Sequence, residues 1–345
     1  MDKENRKGNL LTAFFMVLIC FVTLITASYA WFTQNTGVVL DNITINVKAK
    51  GGIQISSEAA TWKTNLTNED IKAGYPNHLN RIPETLIAVS SGGNVDTSNA
   101  YKGLLQLYAG DLVGGGLTGY NLISTRTSEY QYGTCSNSST ATYETCTGIW
   151  TNNNDLGDFI AFDIFIEATS ETPLYLTRES NAIAADADAG LKNASRVAFI
   201  VEGSLENGAA ALDVQRLKNG TRAIIWEPNN NVHTASAITN GTSNYGYSLG
   251  ELTSTTVIGN YQGVVSEFGI GDNVPVNGNN PTYFKTITPD ISTGTTHNSV
   301  KITDIPAGVT KIRVYAWIEG QDIDCENDAS GSSVTYTIAF SSKPN

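Results

Sequence analysis

Apolar and polar residues alternate with a period of two along several stretches of this chain. In Phe159–Ala168, the residues Phe159, Ala161, Asp163, Phe165 and Glu167 fall on one side, and Ile160, Phe162, Ile164 and Ile166 on the other. Lys311–Glu319 repeats the pattern, with Ile312, Val314, Ala316 and Ile318 opposite Arg313, Tyr315 and Trp317. Successive side chains of a strand point to opposite faces, so each stretch predicts a β-strand with one face in a core. Tyr315 and Trp317 on the second face predict that it is covered too. Val38–Lys48 alternates with one slip near Asp41, and Gly51-Gly52 then leads into Ile53–Ser56, which together predict a hairpin. Leu174–Thr177, Arg196–Val201, Arg222–Trp226, Val300–Thr303 and Val334–Ser341 are the remaining predicted strands.

Helical periodicity is scarce. Thr67 through Gly74 predicts one capped turn, with Thr67 as N-cap, Glu69 and Asp70 in the first turn and Gly74 as the stop. Ala182–Leu191 is read either as a short helix or as a loop. Turn clusters such as Gly114-Gly115-Gly116, Asn152-Asn153-Asn154 and Asn229-Asn230-Asn231 separate the strands. No repeat of 20–50 residues emerges, which argues against a solenoid or propeller. The expected fold is all-β: an antiparallel, jelly-roll-like β-sandwich with long insertions, chiefly over residues 62–155 and 229–299.

The first thirty residues predict where that sandwich works. Lys3, Arg6 and Lys7 lie in a basic head, residues 1–9, ahead of the uncharged run Leu10–Ala30. As a helix rising ~1.5 Å per residue, residues 10–30 span about 31 Å, the thickness of a hydrocarbon core. The basic head is expected to stay in the cytoplasm, which makes residues 31–345 extracellular. Ser28 and Ala30 occupy the small-residue positions of a signal-peptidase site, with cleavage before Trp31. An uncleaved, single-pass signal anchor competes with this reading.

Composition agrees with an exported β-protein. The chain carries 21 Lys+Arg against 33 Asp+Glu, and three of those cations stand in the head, so the exported part is strongly acidic. That charge argues against nucleic acid or an anionic membrane surface as an electrostatic partner. Cys135 and Cys146 bracket a Ser/Thr-rich stretch and predict a local disulfide, which leaves Cys325 outside the bridge; pairing of Cys325 with either is the alternative.

Catalytic motifs are absent from the sequence. His78, His233 and His297 sit in separate polar stretches, without the spacing of a zinc helix. Asp163 and Glu167 share a strand face, but two acids on one strand do not make a glycosidase. The stretch from Asp322 through Asp324, Asn327 and Asp328 presents oxygen ligands at roughly alternate positions, as a Ca²⁺ loop requires. It departs from an EF-hand loop, with Asn327 at the sixth position and Ser333 at the twelfth. The alternative is an acidic turn whose side chains bond their own backbone. No cofactor is expected, with Ca²⁺ the one candidate metal.

Ala27-Ser28-Tyr29-Ala30-Trp31-Phe32-Thr33, behind the apolar span and before the strand Val38–Lys48, resembles the TasA/camelysin group of Gram-positive surface proteins. The closing stretch from Val314 to Phe340 is similar to the last strands of exported sandwiches of that type. The resemblance covers roughly the first 60 and last 40 residues. It implies a jelly-roll fold, a cleaved N-terminal segment and a role as a biofilm-matrix or filament subunit. The family is classed by name with metallopeptidases, and this chain lacks their zinc helix. Self-association through Trp31, Phe32 and Thr33, or contact with other matrix proteins, is the expected partnership. A membrane-anchored module binding extracellular glycans, with Trp226, Tyr245 and Tyr247 stacking on sugars, is the second expectation, and a hydrolase the third.

Overall fold

The structure, a computed structural model, describes residues 44–83, 85–86, 88–89, 91, 93–98, 102–113, 116–123, 156–184, 190–228, 234–235, 237, 289–293, 297–320, 322, 324–325 and 333–344. In chain order the first strands are β1 (Thr44–Lys50), β2 (Gln54–Ser56), β3 (Asn65–Leu66), β4 (Thr85–Leu86), β5 (Leu107–Val113), β6 (Gly116–Ile123), β7 (Leu156–Gly157) and β8 (Ile160–Ala168). They are followed by β9 (Thr172–Leu176), β10 (Asn181–Ala184), β11 (Ser195–Leu205), β12 (Ala223–Pro228), β13 (Ile291–Thr293), β14 (Val300–Ile305), β15 (Gly308–Ile318) and β16 (Val334–Ser341). Three short helices are described: α1 (Asn68–Ala73), α2 (Leu191–Ala194) and α3 (Ala211–Gln215).

The protein is mostly β, as the alternation predicts. One six-stranded sheet runs β14-β9-β16-β1-β3, with β10 also pairing β16, and a second runs β13-β12-β11-β15-β8-β2. Most strand pairs in the two sheets are antiparallel, in line with the expectation, but both sheets are mixed, each containing a parallel pair. β1 runs parallel to β16, from Thr44 opposite Thr335 to Lys50 opposite Ser341, and β12 runs parallel to β13. Side-chain alternation is the same in either direction, and only a long connection is needed for a parallel neighbour. Nearly the whole chain connects β1 to β16.

The predicted hairpin is also corrected. β1 pairs with β16 and β3, whereas β2 pairs with β8 in the other sheet. Gly51 and Gly52, at φ +76° and +93°, therefore form a corner between sheets. Ile45, Val47 and Ala49 enter the core from one side, and Ile53 and Ile55 belong to the same apolar cluster.

That cluster lies between the sheets. Phe162, Ile164, Phe199, Ile312 and Val314 from the second sheet share it with Leu174, Tyr336, Ile338 and Phe340 from the first. Phe199 meets Phe340 edge-on, with ring centroids 5.8 Å apart. The opposite face of the second sheet is covered as predicted. Val89, Leu105 and Leu107 pack there with Phe159, Ala161, Ala198, Ile200, Tyr315 and Trp317.

The predicted helix cap is present: the Asp70 amide donates to Thr67 Oγ1, and the Thr67 amide to Asp70 Oδ2. Within Ala182–Leu191, the helix reading is corrected for the first residues, because Asn181–Ala184 pairs with β16 as a strand. No helix among the described residues is long and apolar enough to cross a membrane. The predicted span, residues 10–30, lies outside the described residues, as do Ser28, Ala30, Trp31, Phe32 and Thr33.

Candidate functional site

The outer face of the second sheet carries charges where its alternation calls for covered, apolar side chains. On β8 and β15 the odd-numbered residues point away from the shared core, and register sets Asp163 opposite Arg313. Glu202 on β11 sits at a break in register between Val201 and Gly203, where the extra residue of a β-bulge re-aims the local side chains. Tyr75 reaches the same place from the segment after α1, with its ring edge-on to Phe165.

Asp163 is the hub of this cluster. Its Oδ1 lies 2.8 Å from Arg313 Nη2, its Oδ2 lies 3.2 Å from Lys311 Nζ, and Tyr75 Oη donates to Oδ2. Its backbone amide donates to Asn80 Oδ1, and Asn80 Nδ2 donates to the Ile71 carbonyl, which ties the hub to α1. Lys311 Nζ also donates to Tyr75 Oη at 3.2 Å and to the Gln215 carbonyl at 2.6 Å. Burial opposes the charge on Asp163, but Arg313 and Lys311 outweigh it and hold this carboxyl below its ordinary range. Burial lowers Lys311, with Asp163 opposing the shift. Burial, reinforced by Asp163, raises the Tyr75 hydroxyl.

Glu202 has the opposite fate. Its side chain is 1% exposed and accepts from the Gly220 amide at 3.0 Å. Burial pushes its carboxyl up to about 7, against that hydrogen bond and the charges of Arg313 and Lys311. Gly103 packs so closely that an added Cβ would lie 2.4 Å from Glu202 Oε2. Tyr75, Glu202, Lys311 and Arg313 of this cluster form the floor of a cleft of about 710 Å³, rimmed by Lys102, Arg216 and Lys218 and lined by Leu104 and Leu217. The buried Arg313 Nη1 meets no hydrogen-bond acceptor among the described residues.

The predicted acidic loop leads to a second buried cluster. Asp322 and Asp324 are both buried. Asp322 Oδ2 lies 2.6 Å from Arg196 Nη2, and its Oδ1 accepts from the Asp324 amide at 2.9 Å. Glu227 Oε1 lies 2.5 Å from the same guanidinium nitrogen, and Asp324 Oδ1 accepts from the Thr234 amide. Burial disfavours the Arg196 charge, yet Glu227 and Asp322 hold it above its ordinary value. Asp322 therefore has a guanidinium as its cation and a neighbouring amide as its turn partner. Asn327 and Asp328, the other candidate calcium ligands, lie outside the described residues. No group of three or more His, Cys, Asp or Glu among the described residues is arranged to hold a metal.

Other sequence candidates are placed as follows. Cys325 is a buried thiol in the sandwich core, while Cys135 and Cys146 lie outside the described residues. Trp226 is not a sugar-stacking platform: it is 0% exposed, and its indole donates to Thr293 Oγ1 at 2.8 Å. Tyr245 and Tyr247 lie outside the described residues. His78 Nδ1 accepts from the Asn80 amide, and His297 bonds the Ser180 and Asn298 carbonyls.

Sequence reasoning picked out Asp163 but neither the cleft nor Glu202. The available signal was a charge at a strand position flanked by covered apolar residues, as at Asp163 between Ala161 and Phe165, or Arg313 before Tyr315. Compared with models of protein families, with curated proteins and with solved structures, the chain matches none.

Proposed function

We propose that this chain is an exported surface protein whose sandwich serves as a structural subunit of an extracellular matrix or filament, without catalytic activity of its own. In this reading the sandwich is of jelly-roll type, residues 10–30 direct export, and the chain is cleaved before Trp31. The observation that carries the reading lies on β10. This strand pairs with β16, and Ile183 on it is 54% exposed, a large apolar side chain presented to solvent, of the kind that docks a neighbouring chain. Trp31-Phe32-Thr33 of one subunit docks there on the next. Burying a large apolar side chain contributes about 1.5–3 kcal/mol, enough to favour docking over an exposed aromatic terminus. Electron microscopy of protein starting at Trp31, beside protein starting at Val38, tests this. Filaments from the longer protein alone are expected, and equal assembly by both, or by neither, refutes the reading.

A second reading, an anchored extracellular binding module, is favoured by the cleft over the second sheet. Its volume falls within the ~300–1,000 Å³ typical of small-ligand sites. Its rim is cationic on a chain of net charge −12.

A further inference from the structure

We propose that the cleft on the outer face of the second sheet binds a small organic carboxylate, held by Arg313 at its floor. The inference rests on the binding-module reading and adds the ligand class.

The charges of the floor set the ligand's charge. Asp163 balances one of the two buried cations, Lys311 and Arg313. Glu202 balances the other only when ionised, so its neutral form leaves room for one negative charge. Lys311 already has three protein acceptors in Asp163, Tyr75 and Gln215. Arg313 has Nη1 to spare, buried at the cleft floor with no acceptor among the described residues. A guanidinium is a planar, charged donor fork whose geometry suits a carboxylate. The rim cations Lys102, Arg216 and Lys218 draw an anion inward but, standing in solvent, are screened and hold it weakly. Leu104 and Leu217 supply apolar walls for a carbon skeleton.

The same geometry couples binding to protons. The charged and titratable groups around Glu202 are Lys311 and Arg313 on β15, Asp163 on β8, Tyr75 after α1, Lys102 on the rim beside Gly103, and Arg216 and Lys218 after α3. Burial pushes the Glu202 carboxyl up to about 7. A bound carboxylate repels an ionised Glu202 and is accepted beside a neutral one. Affinity therefore falls as pH rises through that value, by about tenfold between pH 6 and pH 8.

D-Glucuronate and D-glucose differ in carboxylate against hydroxymethyl and serve as matched probes, with sulfate as an inorganic anion. The measurement is calorimetric titration of the full chain in detergent, which accommodates residues 10–30, at pH 6 and pH 8. Glucuronate is expected to bind, and glucose and sulfate at least tenfold more weakly. Glu202→Gln is expected to raise the pH 8 affinity to the pH 6 value. Arg313→Lys is expected to lose at least tenfold in affinity, its melting temperature showing whether it remains folded. Equal binding of glucose or sulfate overturns the carboxylate assignment and leaves a binding module standing. A pH-independent wild type, or an unresponsive Glu202→Gln, overturns the proton coupling. Binding of none of the three overturns both this inference and the binding-module reading.

Discussion

Asp163 and Glu202 are two buried carboxylates on neighbouring faces of one cluster, and their surroundings drive them in opposite directions. Asp163 touches two cations and a tyrosine hydroxyl, so it is held ionised. Asp163→Asn would strand Arg313 and Lys311 without a counter-charge, and removing one partner of a buried pair costs roughly 3–5 kcal/mol. Urea denaturation at pH 7 is expected to show a loss of that size; a loss below about 1 kcal/mol, the scale of an exposed pair, would show that the cluster is solvated. Glu202 works with the reverse sign. Its folded value, about 7, lies above its ordinary 4.5, so the folded protein binds the extra proton between those limits. Stability is therefore highest below about 4.5 as far as this group is concerned, and falls as pH rises toward 7, by on the order of 3 kcal/mol in full. Glu202→Gln removes this contribution. Its melting temperature relative to wild type is expected to rise between pH 5 and pH 8, and a constant difference would contradict the assignment.

At the scale of elements, two local devices hold the sheets in place. The N-cap of α1 was visible in Thr67 because a cap and its helix are consecutive in the chain, and the structure adds the reciprocal bond from the Thr67 amide to Asp70. Thr67→Ala is expected to cost about 1 kcal/mol, a typical value for a lost N-cap. The turn from β14 into β15 depends on Gly308, at φ +120°, where an added Cβ would lie 2.1 Å from the Leu205 carbonyl oxygen. No rotamer relieves a clash between backbone and Cβ, so Gly308→Ala has to displace the paired ends of β11 and β15. It is expected to destabilise more than the ~1 kcal/mol that glycine freedom alone accounts for, as read from the denaturation midpoint. The corner at Gly51-Gly52 shows the limit of such local reading. Two glycines between alternating runs signal a turn, but the same signal serves a hairpin and a crossing between sheets.

For the whole molecule, the sandwich places the charged cleft on the second sheet and the exposed Ile183 of β10 on the first. The proposed assembly and the proposed ligand site are therefore separable. Ile183→Lys sets a charge on β10 in place of that apolar side chain. It is expected to abolish filaments while leaving glucuronate titration unchanged. Filaments of normal length from this variant would exclude β10 as the acceptor.

Strand positions and the face each residue presents were legible in the sequence alone, as in Phe159–Ala168 and Lys311–Glu319, because a period of two is a property of consecutive residues. So was the covering of the face bearing Tyr315 and Trp317, since large aromatic side chains are seldom left in water over a whole strand. Strand neighbours and their directions were decided by tertiary structure, because alternation is blind to what lies across the ladder. That is why β1 runs beside β16 in parallel and β2 crosses to β8. The cleft belongs to the same category. Tyr75, Asp163, Glu202 and Arg313 come from distant parts of the chain, and each alone reads as an ordinary polar residue. Only their assembly at one buried place lets Arg313 and Lys311 lower the Asp163 carboxyl against burial, lets burial raise the Glu202 carboxyl, and leaves a guanidinium nitrogen without an acceptor.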